Sequence, residues 1–278
     1  MTATFRVLST LLTSTVVLVG CSSSTAADPS PDNPGAKDAA SSVEQLTVEV
    51  TRTLPHDRTA FTQGLEVSGS ELFESTGRNG SSWIRVSDLD SGAELRRADL
   101  SADYFGEGLT VTDDIVWQIT WRDGVAIARD LNTLAEARRV EYEGEGWGLC
   151  NTPEAGLVMS DGSETLTFRD PVTFAATSTV EVSMDGEPLA DLNELECAAD
   201  GSVYANVWQT HDIARIDPKS GEVTALIDAA PLWDSMTADE RAGADVLNGI
   251  AQLPGAGRFL VTGKLWPTMY EVEFTPPR

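Results

Sequence analysis

The sequence predicts an all-β protein with the architecture of a five-bladed β-propeller, and three observations lead to this fold class. A short motif centred on Gly-Leu occurs five times, at intervals of 44, 40, 46 and 55 residues. Each copy is followed by runs with the two-residue alternation typical of strands. A strand-like segment without a partner precedes the first copy, and the last copy is one strand short. Repeat periods near 45 residues are typical of propeller blades.

The five motifs predict the first strand of each blade, the strand that lines the central axis. They are "FTQGLE", "FGEGLT", "GWGLC", "LNELEC" and "LNGIA". Aligned on their shared core, they place Gln63, Glu107, Trp147, Asn193 and Asn248 at one equivalent position. Because equivalent positions of a propeller converge at one mouth, these side chains predict a binding site. The alternative is that polar groups in a wet channel bind only water.

The segments between motifs predict a second, a third and a weaker fourth strand in each unit. The second-strand runs are "LFESTG", "IVWQITW", "GLVMSD", "VYANVW" and "FLVTGK", and the third-strand runs are "WIRVSDLDSG", "VAIARDLNTL", "TLTFRDPVTF", "IARIDPKSGEV" and "MYEVEF". In four units an aspartate follows the third strand, at Asp88, Asp130, Asp170 and Asp217. Aspartate favours chain reversals because its carboxylate bonds nearby backbone N–H groups.

The first strand-like segment, "LTVEVTRTLPHD" at residues 46 to 57, is expected to pair with "MYEVEF" as the outer strand of the last blade. This pairing would close the ring and remove exposed sheet edges. The longest interval carries an insertion, "PLWDSMTADERAGADV", in which Thr237 and Glu240 have the spacing of a capping box for a helical turn.

Residues 1–20 predict the signal peptide of a lipoprotein. The apolar run between Arg6 and Val19 is too short to cross a hydrocarbon core of about 30 Å. The "LVGC" that ends at Cys21 resembles a lipobox, so we expect a lipid on this cysteine; an ordinary secretory signal is the alternative. Residues 21–44 are rich in Ser, Ala, Pro and Asp and predict a flexible tether, which leaves 45–278 for the propeller.

We therefore expect an exported protein, lipid-anchored at the outer face of the bacterial cytoplasmic membrane or in the periplasm, with no other membrane contact. Its formal net charge of −25 would repel nucleic acid, which we exclude as a partner. With Cys21 lipidated, Cys150 and Cys197 remain for a disulfide. The alignment puts Cys150 level with Glu196, one residue out of phase, and leaves this bond open.

Residues at the ends of the five second strands strengthen the prediction of a site. They are Gly77, Trp121, Asp161, Trp208 and Lys264. With Trp147, Phe61, Phe105 and the acid Glu107, they indicate an aromatic box that holds an acid/base and a cation. Asp161 is a second candidate acid, which a hairpin turn explains equally well, and Glu194 and Glu196 are expected to be structural carboxylates.

Two other classes of chemistry find little support in the sequence. His56 and His211 are the only histidines, and neither has partners at metal-ligand or catalytic-triad spacing. No serine stands in a G-x-S-x-G elbow.

The motifs resemble those of the glutaminyl-peptide cyclotransferases of the plant and bacterial type. In order, the shared motifs are "FTQGL", "GEGLT", "WQITW", "GWGL", "SDGS", "NELE", "YANVW", "DVLNGIA" and "GKLWP", over residues 45 to 276. The resemblance implies a five-bladed propeller that cyclises the N-terminal glutamine of a peptide or protein to pyroglutamate with release of ammonia. It implies no required cofactor or metal, and a structural ion in the central channel stays open. We also expect a monomer.

Residue by residue, the resemblance implies that Glu107 is the acid/base and that Lys264 and Asn193 are polar groups of the catalytic site. The expected substrate-binding residues are Phe61, Gln63, Phe105, Trp121, Trp147 and Trp208, together with Asn248 at the fifth motif position. Two rival functions stay open. One is a non-catalytic lipoprotein propeller that binds peptides or a protein partner. The other is a metal-dependent propeller hydrolase such as a lactonase, for which the mouth offers few carboxylates.

Overall fold

The computed structural model describes residues 43–255 and 257–278, and their regular structure is almost entirely β. The predicted signal peptide, Cys21 and the tether up to residue 42 lie outside the described residues. The strand β1 begins at Glu44, directly after the buried Val43. No helix in the described part is long and apolar enough to cross a membrane.

Twenty-two strands and two short helices are described. The first nine strands are β1 (Glu44–Pro55), β2 (Thr62–Ser68), β3 (Glu71–Thr76), β4 (Trp83–Asp88), β5 (Glu94–Asp99), β6 (Gly106–Val111), β7 (Ile115–Thr120), β8 (Val125–Asp130) and β9 (Glu136–Glu141). The next six are β10 (Leu149–Thr152), β11 (Gly156–Ser160), β12 (Thr165–Arg169), β13 (Ala176–Glu181), β14 (Ser183–Met184) and β15 (Glu187–Pro188). The last elements are β16 (Leu192–Cys197), β17 (Val203–Val207), β18 (Asp212–Ile216), β19 (Val223–Asp228), α1 (Ala230–Ser235), α2 (Ala238–Arg241), β20 (Leu247–Gln252), β21 (Arg258–Gly263) and β22 (Thr268–Thr275).

The strands form three four-stranded antiparallel sheets, one larger sheet and a small hairpin. The four-stranded sheets are β2–β5, β6–β9 and β10–β13, each in chain order. The larger sheet has eight strands in the order β16-β17-β18-β19-β1-β22-β21-β20, and β14 pairs with β15. The all-β fold class predicted from the sequence is confirmed.

The strand β1 joins the two halves of the eight-stranded sheet. Residues 47–55 run antiparallel to β22, so the predicted pairing of this segment with the last strand is confirmed. Residues 44–47 also run parallel to β19, a contact that the sequence did not predict. The two ladders together make one sheet from segments at opposite ends of the described chain.

Burial decreases from the first strand of each unit to the fourth. In β6 every residue but the last is buried, whereas in the fourth strand β9 all but one are exposed. The apolar side chains of the inner strands pack between neighbouring sheets, as Phe73 and Ile84 do against Leu109 and Val116. Each such buried side chain stabilises the fold by about 1.5–3 kcal/mol.

Two local signals in the sequence are confirmed in the structure. Each of the four turn aspartates accepts a backbone N–H bond within its own turn; the donors are Ser91, Thr133, Thr173 and Lys219, at 2.7–2.9 Å. In the insertion, Thr237 and Glu240 form the expected reciprocal capping box at the start of α2.

The glycines of the repeated motif allow the first strands to approach each other closely. A Cβ on Gly64 would lie 2.6 Å from the backbone nitrogen of Leu109, and one on Gly108 would lie 2.6 Å from that of Leu149. Gly148 is tighter still, since a Cβ there would lie 2.1 Å from the carbonyl oxygen of Asn193. In sequence order the first strands β2, β6, β10, β16 and β20 each contact the next, and β20 contacts β2.

A disulfide joins Cys150 on β10 to Cys197 on β16, with the two Cα atoms 5.4 Å apart. This separation is typical of disulfides. The bond therefore links two neighbouring first strands although the motif alignment put the two cysteines out of phase.

A buried ionic network fastens the last unit to the first. His56 Nε2 lies 2.8 Å from Glu74 Oε1, and His56 Nδ1 lies 2.8 Å from the carbonyl oxygen of Trp266. Arg85 donates a 2.7 Å bond to Glu74 Oε2. Burial by itself lowers the pKa of His56, but Glu74 and the Trp266 carbonyl outweigh it and raise that pKa above 6.5. The pKa of Glu74, which burial raises, is lowered below 4.5 by His56 and Arg85.

This network predicts a pH window of stability. The contribution of the His56 cation is complete below pH 6.5 and is lost as the pH rises through the raised pKa of the folded protein. The contribution of Glu74 is present above pH 4.5 and is lost as the pH falls through its lowered pKa. His56→Gln should therefore lower the free energy of unfolding by about 2 kcal/mol at pH 6. It should also reduce the fall in this free energy that the wild-type protein shows as the pH rises above 6. Urea unfolding between pH 5 and 9 measures both effects, with His211→Gln as the control.

Candidate active site

A cavity of about 500 Å³ opens where the first strands begin and the second strands end. Its walls contain nine of the ten side chains that the sequence placed in the site. The lining residues are Phe61, Gln63, Phe105, Glu107, Trp121, Arg122, Trp147, Asn193, Trp208, Asp245, Val246 and Lys264. The sequence thus identified most of one cavity from residues scattered over some 200 positions.

β-Bulges orient the polar side chains of the first strands. In four of the five units the register of the first and second strands shifts at the motif: between Thr62 and Gly64, Gly106 and Leu109, Leu192 and Leu195, and Leu247 and Ile250. The residues within these shifts include Gln63, Glu107, Asn193 and Asn248. A bulge re-aims the side chains of the residues that it leaves unpaired.

Glu107 is held by a chain of two amides. Gln63 Nε2 donates a 2.9 Å hydrogen bond to Glu107 Oε1, and Asn248 Nδ2 donates a 3.0 Å bond to Gln63 Oε1. Asn248 also donates to the carbonyl oxygen of Thr62 at 3.0 Å. Asn248 is fully buried behind Gln63 and does not line the cavity, so it contacts Gln63 where the sequence placed it in contact with substrate.

The charged groups of the cavity are strongly perturbed by burial. Glu107 is 4% exposed and Lys264 is 5% exposed. Desolvation raises the pKa of Glu107 well above 4.5; the attraction of Lys264 opposes this rise, and the negative charge of Glu145 adds to it. Desolvation likewise lowers the pKa of Lys264 below 10.5, against the attraction of Glu107 and Asp245. Perturbed acids and bases in a cavity indicate a site for proton transfer.

Lys264 points its ammonium group toward an aromatic ring. Its Nζ lies 5.1 Å from the ring centroid of Phe61, within the range of a cation–π interaction. It forms no direct ion pair with Glu107, although both side chains belong to the described part of the chain and line the same cavity. Its three N–H donors are therefore available to a bound molecule.

The aromatic side chains form two groups. Phe61 and Phe105 meet edge to face with centroids 6.1 Å apart, and Phe105 lies 5.4 Å from Trp121. Trp147 and Trp208 form a second edge-to-face pair at 5.4 Å. Such walls bury an apolar stem and leave the few polar groups to orient what binds.

Asn193 lines the cavity and carries a buried acceptor without a partner in the described part of the chain. Its side chain is buried, and Oδ1 has no hydrogen-bond partner among the described residues. Buried polar atoms without a partner are rare and call for an explanation such as a bound molecule. The position of Asn193 fits a contact with substrate.

The ends of the second strands lie where the sequence placed them. Gly77, Trp121, Asp161, Trp208 and Lys264 each follow directly after the last residue of β3, β7, β11, β17 and β21. Asp161 does not line the cavity. Its carboxylate accepts bonds from the N–H and hydroxyl of Ser163, at 3.0 and 2.5 Å, which identifies it as a turn residue.

Four residues near the cavity were not among those predicted from the sequence. Arg122, Asp245 and Val246 line it, and Glu145 accepts hydrogen bonds from two of its tryptophans. The sequence carried hints for three of them. Asp245 and Val246 begin the shared motif "DVLNGIA". Glu145 and Val246 stand two residues before Trp147 and Asn248, as Phe61 and Phe105 stand before Gln63 and Glu107.

The remaining acidic side chains of the first strands lie away from the cavity. Glu194 accepts bonds from the backbone N–H groups of Leu65 and Ile250, at 3.1 and 2.7 Å, as expected of a structural carboxylate. Burial raises its pKa and that of Glu196 well above 4.5. Among the described residues no group of three or more His, Cys, Asp or Glu side chains is arranged to hold a metal.

The all-β fold and a buried carboxyl group in an aromatic cavity define a class of protein with an acid–base site. Comparison with known proteins identifies the class more closely. The family model described as glutamine cyclotransferase matches residues 15–274. The chain therefore belongs to the glutamine cyclotransferase family, and the resemblance seen in the motifs is confirmed.

Two relatives illustrate the similarity. A glutaminyl-peptide cyclotransferase of Arabidopsis thaliana is 40% identical over 228 residues, which cover 81% of this chain and 71% of the relative. The crystal structure of the glutaminyl cyclase of Myxococcus xanthus is 38% identical with a TM-score of 0.76, and the match covers 85% of this chain and all of that one.

Proposed function

We propose that this protein is an enzyme that cyclises the N-terminal glutamine of peptides or proteins to pyroglutamate, with release of ammonia. Family membership supports the reaction. The single observation that carries the mechanism is the buried carboxyl group of Glu107 in a cavity with aromatic walls.

The first task of the site is to fold the substrate back on itself. The α-amine of the glutamine must attack its own γ-carboxamide carbon, so the reacting atoms already belong to one molecule. Holding the bent conformer is then the main source of acceleration. A cavity of about 500 Å³ with Phe61, Phe105 and three indoles on its walls suits the apolar stem of one glutamine side chain. The peptide continues outward through the mouth.

Glu107 carries the proton between the two nitrogens. As the new C–N bond forms, the attacking amine gives one proton to the carboxylate, and the carboxyl group returns it to the nitrogen that leaves as ammonia. A general base is most effective when its pKa lies near the pH at which the enzyme works. Burial raises the pKa of Glu107 well above 4.5 and so moves it in this direction. Gln63 fixes which oxygen faces the substrate, because its amide occupies Oε1.

The carboxamide oxygen that becomes negative in the tetrahedral intermediate needs a donor. We assign this role to Lys264, whose buried ammonium makes no direct ion pair with Glu107 and lies over Phe61. The amide of Asn193 lies on the same cavity and is assigned to the leaving group or to the first peptide bond. No step in this scheme requires a cofactor.

We also infer that the five units are the blades of one five-bladed propeller. The cyclic contacts among the five first strands support this inference, as does the role of β1 as the fourth strand beside β22, β21 and β20. A crystal structure in which the first strands do not surround a single axis would contradict it.

Glu107→Gln should lower kcat/KM by a factor of about 10² or more, because the amide cannot carry the proton. The measurement is release of ammonia from a peptide that begins with glutamine, with the N-acetylated peptide as a blank. Glu196→Gln is the matched control, since it changes a buried carboxyl group of a first strand outside the cavity. Near-normal turnover by a folded Glu107→Gln variant would remove Glu107 from the mechanism.

Lys264→Met should lower kcat/KM by about 10- to 100-fold and move its acidic limb to higher pH. The shift follows because Lys264 holds down the pKa of Glu107, and the base works only when ionised. The pH profile of kcat/KM measures both changes. Lys219→Met is the control, since Lys219 is 84% exposed. A profile identical to that of the wild type would exclude this role for Lys264.

The protein is further proposed to be exported and anchored by a lipid on Cys21, on the strength of the "LVGC" segment. Growth with a clickable fatty acid should label the wild-type protein in bacterial membranes and leave Cys21→Ser unlabelled. Ser22→Ala should retain the label. A label on Cys21→Ser would contradict the proposed site.

The rival function, a propeller that binds peptides without turnover, differs in one measurable result. It would retain a glutamine-initiated peptide unchanged in mass, whereas the proposed enzyme converts it with loss of ammonia.

A further inference from the structure

We propose that Glu145 is a positioning residue, which holds the indoles of Trp121 and Trp147 in place and so fixes the aromatic wall against which the substrate is bent. The inference rests on the proposed cyclisation, because the wall is the part of the site that selects the bent conformer. Glu145 does not line the cavity, and its effect passes through the two tryptophans.

One carboxylate serves three donors from two loops. Glu145 Oε2 accepts the indole N–H of Trp121 at 2.8 Å and that of Trp147 at 3.1 Å. Glu145 Oε1 accepts Nε–H of Arg122 at 2.8 Å. Trp121 and Arg122 follow the second strand β7, whereas Trp147 precedes the first strand β10 of the next unit. The carboxylate therefore ties the walls contributed by two neighbouring sheets.

Each indole is also packed on its faces, so the hydrogen bond sets the remaining rotation. The guanidinium of Arg122 lies 3.8 Å from the ring centroid of Trp121, and Phe105 packs 5.4 Å from the same indole. Trp147 meets Trp208 edge to face, and a Cβ on Gly162 would lie 2.6 Å from the ring of Trp147. A ring that packs on its faces and is bonded through its N–H has little freedom to turn.

The backbone beneath Glu145 is held firmly enough to act as a support. The N–H of Gly146 donates a 2.9 Å bond to the carbonyl oxygen of Trp121. A Cβ on Gly146 would lie 3.1 Å from the carbonyl oxygen of Thr120, so this glycine allows a close approach of the two loops. Sites work best when the side chains behind the contacting groups are themselves fixed.

The alternative role for Glu145, a direct ligand of the substrate amine, fits less well. The three hydrogen bonds described above occupy most of its acceptor positions, and Glu145 does not line the cavity. Burial raises its pKa, but the bonds from Trp147, Arg122 and Trp121 outweigh burial and lower that pKa below 4.5. The carboxylate is therefore ionised at neutral pH and accepts all three bonds.

The test compares Glu145→Gln with Glu136→Gln. Glu136 is the matched control because it also binds an arginine, at 2.6 Å, and its side chain is 37% exposed against 35% for Glu145. Glu145→Gln keeps the size of the side chain but turns one acceptor into a donor. We expect kcat/KM to fall about 10-fold, mainly through KM, because the wall contacts the substrate before and during the reaction. Glu136→Gln should change KM by less than about twofold.

A second readout separates positioning from general support of the fold. The charge of Glu145 adds to the rise in the pKa of Glu107, while Lys264 opposes it. Glu145→Gln should therefore move the acidic limb of kcat/KM to lower pH, a change that a loss of stability would not produce. An unchanged KM together with an unchanged acidic limb would overturn the proposal.

A double-mutant cycle tests the route through Trp121. Trp121→Phe keeps an aromatic ring and removes the N–H donor, so it should raise KM by itself. In the double variant with Glu145→Gln, KM should rise by less than the product of the two single increases, because both changes break the same hydrogen bond. If the two increases in KM multiply fully, Glu145 does not act through Trp121. If Glu145→Gln does not fold, an unchanged KM in Trp121→Phe would overturn the proposal.

The wild-type protein decides the proposed function separately. If it releases no ammonia from glutamine peptides, the cyclisation itself fails. If it is active and Glu145→Gln matches it in KM and pH profile, only the role of Glu145 fails.

Discussion

The close approach of backbone to backbone between neighbouring first strands is the constraint on which the rest of the molecule depends. Gly64, Gly108 and Gly148 are present because no side chain fits between one first strand and the next. In the fourth unit the glycine is replaced by Glu194, whose carboxylate bonds the N–H groups of Leu65 and Ile250. The contacts among the first strands let residues from all five units line one cavity.

The motif that lets the first strands pack closely also orients the polar side chains of the site. Three of the four bulges carry a polar side chain that lines the cavity, namely Gln63, Glu107 and Asn193, and the fourth carries Asn248, which lies behind Gln63. Glu107 can then be buried without being isolated, since Gln63 and Asn248 orient it and Lys264 provides an opposite charge nearby. A carboxyl group left in water would keep a pKa near 4.3 and would be a poor base for an amine.

Much of this arrangement could be predicted from the sequence because it repeats. The alternation of strands, the turn aspartates, the pairing of β1 with β22 and the equivalence of Trp121, Trp208 and Lys264 all follow from alignment of the five units. The contacts that a side chain makes at a repeated position could not be predicted in this way. Glu145 bonds the indole of Trp121, and Asn248 lies behind Gln63. The parallel ladder between β1 and β19 has no counterpart in the repeat.

The disulfide shows that strand register can differ from motif spacing. An alignment on the motif treats every first strand as equally spaced, yet the regular ladder of β10 begins only at Leu149, after the motif position, whereas that of β16 begins at Leu192, before it. A difference of one residue between β10 and β16 therefore does not separate Cys150 from Cys197. A count along the chain cannot detect a bulge, because a bulge adds a residue without adding length to the ladder.

The position of β1 has a consequence for the order of assembly. Its two partners are β19 and β22. The strand β1 can therefore pair only after residues 223–228 and 268–275 have been synthesised. The three four-stranded sheets need only local hairpins, whereas the eight-stranded sheet pairs residues of β1 with residues 181 or more positions further along the chain. Long-range pairing of this kind is reached late and slowly. The eight-stranded sheet is therefore expected to be the last one completed during folding.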